Sequence, residues 1–144
     1  MFFASQCASY RLLSESEYRE FGQYFDLIVL DAVRAETEFN VVHAHGEDIM
    51  FDLVASYPVE ALNWHDRVTR PSLSQARQQF AGLLVGGINE QDTLLRGPVE
   101  TIRTEIREAI AQTGGRRFMV GPGCVIPIRT PEEYIRAARA AVVG

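Results

Sequence analysis

The sequence predicts an α/β fold built on a parallel sheet, and three observations carry that prediction. Five short apolar runs alternate with amphipathic helical patterns along the chain. The runs are continuously apolar rather than alternating, as expected of parallel strands covered on both faces. Four of the five turn polar at their carboxyl ends, where (β/α) barrels and open α/β sheets alike place their sites. A dinucleotide-binding sheet is the weaker choice, because no Gly-x-Gly-x-x-Gly follows any strand. No fixed-period repeat, low-complexity tract or dividing linker interrupts the chain, so residues 1–144 read as one domain.

The elements follow in order. Phe2 to Gln6 is a short strand. Ser14, Glu15, Ser16 and Glu17 supply an N-cap and acidic first-turn residues for a long helix. Tyr18, Phe21, Phe25, Ile28, Val29, Ala32 and Val33 recur at three- and four-residue steps through Ala35, which predicts one core-facing stripe. Val41 to His45 is the second strand. A helix over Asp48 to Ser56 follows, with Ile49, Leu53 and Val54 inward, broken by Tyr57-Pro58. Val59 to Asp66 is the third strand, Ser72 to Phe80 a helix, and Leu83 to Asn89 the fourth strand, ending in glycines. Pro98 to Thr113 is an amphipathic helix stopped by Gly114-Gly115. Arg117 to Gly121 is the fifth strand. Thr130 as N-cap, Pro131 and two glutamates open the last helix, which runs through Val142.

Composition excludes several functions. The 144 residues are 47% hydrophobic and carry a net charge of −5, with arginines dispersed among acids, which disfavours a nucleic-acid surface. Every basic side chain is arginine, and without a lysine there is no Schiff-base chemistry through that residue. No run approaches the roughly 20 apolar residues of a membrane span, and the opening residues lack the basic flank of a signal peptide. Cys7 and Cys124 form no disulfide framework, so a reducing, cytoplasmic setting is expected. The chain opens directly on a strand, which leads us to expect that something normally precedes it.

The chemistry concentrates at strand ends. His43 and His45 lie two residues apart, so in a strand both imidazoles project from one face. Cys124, in the glycine-rich turn after the fifth strand, is the expected third donor. Two nitrogens and a thiolate with one position open form the ligand set of a catalytic zinc centre. Against this stands the plainer reading of two polar strand-end histidines and a buried inert thiol. His65 and Asp66 adjoin one another, but neighbouring strand residues face opposite ways, so no direct dyad is expected. His65 remains a candidate general acid or base, and Asp66 a candidate substrate ligand or turn cap. Glu47 and Asp48 are positioned to serve a histidine ring N–H or simply to open a helix. Gly86, Gly87, Gly121 and Gly123 suit tight turns better than anion binding.

Taken in order, Phe3-Ala4-Ser5-Gln6, a tyrosine-rich helix, Val42-His43-Ala44-His45-Gly46, Leu62-Asn63-Trp64-His65-Asp66, Gly86-Gly87-Ile88-Asn89 and Gly121-Pro122-Gly123-Cys124 with Thr130-Pro131-Glu132-Glu133 form a pattern. It resembles the carboxyl-terminal half of the uroporphyrinogen decarboxylase superfamily, which includes zinc-dependent methyltransferases that move a methyl group between a corrinoid and a thiol. The resemblance implies a partial (β/α)8 TIM barrel, comprising strands four to eight of a fold that usually needs about 250 residues. It also implies that Ser5 matches a strand-end serine of the decarboxylases, and that Cys124 stands where they have a histidine. The arginines that grip porphyrinogen carboxylates belong to the other half, so this chain alone is not expected to decarboxylate uroporphyrinogen. In the methyltransferase branch the zinc ligands form a His-x-Cys pair plus a later cysteine. The matching positions here are His43, His45 in place of cysteine, and Cys124. A small-molecule substrate, a corrinoid protein, and either a second copy or an amino-terminal half-barrel are the expected partners. The alternative is an inactive half-barrel.

Overall fold

The structure is a computed structural model and describes residues 1–143. Strands β1 (Phe2–Ser5), β2 (Val41–Ala44), β3 (Ala61–Trp64), β4 (Leu83–Ile88) and β5 (Phe118–Pro122) form one sheet in sequential order. Every neighbouring pair is parallel. Sequential order with a helical crossover at each step is the wall of a (β/α) barrel, whereas a doubly wound sheet reverses order at a switch point. The chain is therefore a partial barrel, and among the described residues the outer edges of β1 and β5 carry no further strand.

The helices are α1 (Glu15–Tyr18), α2 (Tyr24–Arg34), α3 (Phe51–Val54), α4 (Leu73–Gln79), α5 (Thr93–Arg96), α6 (Val99–Thr113) and α7 (Glu132–Val143), with a π-helical turn over Arg19–Gln23 joining the first two. Local chemistry sets their ends. Ser14 and Glu17 close a reciprocal capping box at α1, as do Ser72 and Gln75 at α4. Gly114 ends α6 at φ 64°, in the left-handed region.

Alternation along the strands sorts the core. Val42, Ala44, Leu62, Trp64 and Leu84 turn toward the helices and are buried with residues of α3 and α4. Ile88 packs with Leu94, Ile102 and Ile106 under α7 in a second cluster. The residues of opposite parity, His43, Asn63 and Val85, line the other face of the sheet with Phe2 and Pro122.

Several sequence expectations are corrected here. Of the expected stripe only Tyr18 is buried: Phe21 is 67% and Phe25 57% exposed, Ile28 and Val29 are exposed too, and Leu27 and Leu30, outside the stripe, hold the helix with Tyr18. Periodicity identifies an apolar face but not what covers it. The second helix is only Phe51–Val54, because Asp48 sits at φ 49° and Ile49 is drawn into an antiparallel bridge with Ser9. The short α5 has no counterpart in the sequence reading. Thr130 does not cap α7: its hydroxyl has no hydrogen-bond partner, and the N–H groups of Tyr134 and Ile135 return to the Pro131 carbonyl. No helix among the described residues is long and apolar enough to cross a membrane.

Candidate metal centre

Three strand ends build one cluster. His43 lies within β2, and His45 follows two residues later, its backbone N–H extending the ladder to the Ser5 carbonyl at 2.9 Å. In the neighbouring strand Asn63 pairs in register with His43, and His65, two residues on, shares its face. Cys124 arrives across the sheet in the turn after β5. His43 Nε2 lies 3.4 Å from His45 Nδ1, His65 Nε2 lies 3.4 Å from the same atom, and Cys124 Sγ lies 3.7 Å from it. The donor atoms of all four residues fall within 4.8 Å of one another.

These spacings can be set against the geometry of hydrogen bonding and of metal ligation. Good N–H···N contacts are shorter than about 3.2 Å. The edges of a tetrahedron around zinc are about 3.3 Å between nitrogens and about 3.6 Å between nitrogen and sulfur, from the usual bond lengths. The three separations from His45 Nδ1, at 3.4, 3.4 and 3.7 Å, are long for hydrogen bonds and near the second set. The four residues form a group that could hold a metal ion, with His65 standing beside the three foreseen.

Buried polar groups aim the donors. Asn63 Nδ2 donates to the Val85 carbonyl at 2.9 Å and the Pro122 carbonyl at 3.1 Å, so its Oδ1 must accept from His43 Nδ1 at 2.7 Å. That assigns the tautomer and leaves the Nε2 lone pair facing the cluster. Burial, together with repulsion from His65 and His45, lowers the His43 pKa despite the Asn63 bond, favouring the neutral imidazole that metals require. Glu90, only 3% exposed, places Oε1 3.5 Å from His65 Nδ1 and accepts the Gly123 N–H through Oε2 at 3.1 Å. Burial alone would raise the Glu90 carboxyl, but the His65 contact, its own N–H and the Gly123 N–H outweigh it and hold it below the usual range. Gly123 has no room for a side chain, since a Cβ would stand 2.9 Å from His65 Cα. Neither Asn63 nor Glu90 was singled out from the sequence. The i,i+2 rule applied to His65 would have found Asn63, whereas nothing local marks Glu90.

The remaining candidates lie elsewhere. Ser5 is in register with Ala44, not with His43, and faces the helices. Its hydroxyl meets Tyr18 OH at 2.7 Å, and Tyr18 and Tyr57 both donate to Asp26. The structure therefore does not bring Ser5 to the donor cluster. Asp66 points away from His65, as strand alternation requires, and its two oxygens accept the Gly87 N–H at 3.0 and 3.2 Å. Burial pushes its carboxyl up to about 6. Beside it Arg67 bonds the carbonyls of Gly87 and Glu105, tying the strand end to α6. Glu47 pairs with Arg11 at 3.0 Å, and Glu90 and Asn63 serve the ring nitrogens instead. A cavity of about 560 Å³ lined by His45, His65, Asn89, Gln91, Arg96 and Cys124 opens over the cluster. A smaller apolar one of about 270 Å³, between Phe2 and Val125, reaches His43 and Cys124 from the other side.

Comparison with known proteins agrees with the partial-barrel fold. The sequence profile of uroporphyrinogen decarboxylase (URO-D) matches residues 2–143. The chain belongs to the uroporphyrinogen decarboxylase family. Among solved structures, a methyltransferase from Methanosarcina mazei superimposes with a TM-score of 0.84 at 27% identity, over 99% of this chain and 41% of that one. This URO-D chain thus spans well under half the length of that neighbour. No curated protein sequence matches it.

Proposed function

We propose that this URO-D chain carries the zinc site of a methyltransferase acting on a small thiol, and the observation that supports it is the convergence of the donor atoms of His43, His45, His65 and Cys124 within 4.8 Å of one another. Bound there, zinc would supply a Lewis acid that keeps a substrate thiol deprotonated at neutral pH. The residues do the rest. His43 and Asn63 hold one donor rigid and buried, while His45, His65 and Cys124 face the open cavity where a substrate arrives. Three neutral imidazoles and one thiolate give a less negative donor set than a site with two thiolates, which tempers the nucleophilicity of a bound sulfur. The apolar pocket behind Cys124 suits the uncharged part of a substrate or a methyl donor. A corrinoid protein as methyl donor, a cytoplasmic setting, and completion of the barrel by another copy or an amino-terminal half-barrel belong to the same proposal.

One observation favours a second reading. Four protein donors close a tetrahedron, and closed sets are typical of structural zinc in a chain without activity. Metal analysis of chelator-free protein is the primary test: about one zinc per chain, lost in His45→Ala and Cys124→Ala, is expected, and metal-free folded protein would sink the proposal. Cobalt-substituted protein titrated with a small thiol separates the two readings. A sulfur-to-cobalt band that grows with thiol supports catalysis, and an inert spectrum supports the structural role.

A further inference from the structure

From the placement of Glu90 we infer that it is the positioning residue and counter-charge of the donor cluster, holding His65 and the Cys124 turn in register through one buried carboxylate. This rests on the metal-binding reading above and extends it to a residue outside the donor set. Glu90 follows β4, two residues beyond Ile88, and so stands between the strand that presents His65 and the strand that presents Cys124. Its oxygens are divided between them: Oε1 meets His65 Nδ1 of the β3 end, and Oε2 takes the N–H of Gly123, the residue before Cys124. The second contact is confined by the backbone, because Gly123 already abuts His65 Cα and the Trp64 carbonyl. Movement of the carboxylate therefore shifts two donors at once. Asn63 secures His43 in a comparable way, and among the described residues Glu90 is the side chain that does so for His65 and for the turn carrying Cys124.

Charge gives the second argument. A buried carboxylate normally lies beside a cation, since an unpaired one is costly. Among the described residues no arginine lies within ion-pair distance of Glu90, and His65 is its one charged-capable partner. A divalent cation held by three neutral imidazoles and one thiolate leaves a net charge of +1, which one carboxylate at this position cancels. With Nδ1–H turned to the carboxylate, His65 also presents its Nε2 lone pair to the cluster, the orientation in which it falls 3.4 Å from His45 Nδ1.

The test uses zinc and cobalt themselves on the full chain. Glu90→Gln keeps the volume but removes the charge, and it turns an amide N–H toward one of two groups that both donate. Affinity for zinc, measured by competition with a chromophoric chelator, is expected to fall about 10- to 100-fold, the usual cost of losing a partner behind a ligand. The cobalt spectrum is expected to lose visible-band intensity as one donor leaves the tetrahedron. Glu90→Asp keeps the charge on a shorter stem and recovers part of the affinity. In a cycle with His65→Ala the two losses are less than additive, because they report one arrangement. A merely structural Glu90 would lower the urea midpoint of chelator-treated protein while leaving zinc affinity and the cobalt spectrum unchanged, and that result overturns the inference. Wild-type protein that binds neither metal overturns the metal reading and the inference together; wild type and Glu90→Gln binding alike overturns only the latter.

Discussion

Replacing Asn63 by leucine separates the two things that residue does. Its side chain is buried and makes three hydrogen bonds, accepting from His43 Nδ1 at 2.7 Å and donating to the carbonyls of Val85 and Pro122 at 2.9 and 3.1 Å. Leucine fills nearly the same volume and answers none of the three. At about 1 kcal/mol net per bond, with a further desolvation cost for groups left stranded, the loss is about 3–5 kcal/mol. Small domains are stable by only about 5–15 kcal/mol. Urea denaturation in excess chelator reads this term without contribution from metal. Zinc competition reads the other term, since a His43 ring free to exchange tautomers should cost about 10- to 100-fold in affinity. Asn63→Asp provides the contrast: it still accepts from His43 but sets an oxygen against two carbonyls, so it should lose stability while largely keeping affinity. An unchanged urea midpoint and unchanged zinc competition in Asn63→Leu would refute the reasoning on both counts.

Other consequences are equally direct. Gly123→Ala places a Cβ 2.9 Å from His65 Cα and 3.2 Å from the Trp64 carbonyl, so the Cys124 turn must move; zinc affinity should fall at least 10-fold, and crystallography of the variant with Cys124 Sγ unmoved would contradict it. Burial, followed by the bond to Asp26, pushes the Tyr18 hydroxyl up to about 12 from its ordinary 10.0, so the folded state holds this proton more tightly than the unfolded one. The stability it contributes is complete below pH 10 and is lost as pH rises through about 12, amounting to about 3 kcal/mol. Denaturation midpoints across that range should fall for wild type and fall less for Tyr18→Phe, whereas parallel profiles would rule the linkage out. The apolar face bearing Phe21, Tyr24, Phe25 and Ile28, together with the bare edges of β1 and β5, predicts association of the isolated chain above its 16.1 kDa mass in sedimentation; a strict monomer at micromolar concentration would refute that.

How much was legible depended on how local each signal was. The strand positions and the parallel order followed from continuous apolar runs separated by helical patterns, because burial on both faces leaves a mark within five or six residues. The pairing of His43 with His45 was equally plain, since alternation along a strand is a backbone property. The same rule separated His65 from Asp66, which the structure sends to opposite faces. It was not applied across strands, and so the sequence reading offered His65 as an acid or base without placing its Nε2 3.4 Å from His45 Nδ1. Ser5 shows the converse: the family resemblance suggested the site, but its register with Ala44 turns it toward Tyr18. The aromatic stripe on α2 shows that amphipathicity records an apolar face without recording its partner.

The sequence by itself determined the order of strands and helices, the shared face of two histidines and the family to which the chain belongs, because each of these is written in neighbouring residues or in their succession. Only the tertiary structure decided that Cys124 comes within 3.7 Å of His45, that Asn63 aims His43, and that Glu90 reaches both His65 and Gly123. Those contacts join residues 20 to 79 positions apart, and their existence depends on strand register and on the space that glycine leaves at position 123. No pattern within one stretch of chain encodes a distance between the ends of separate strands; the packing of the sheet does.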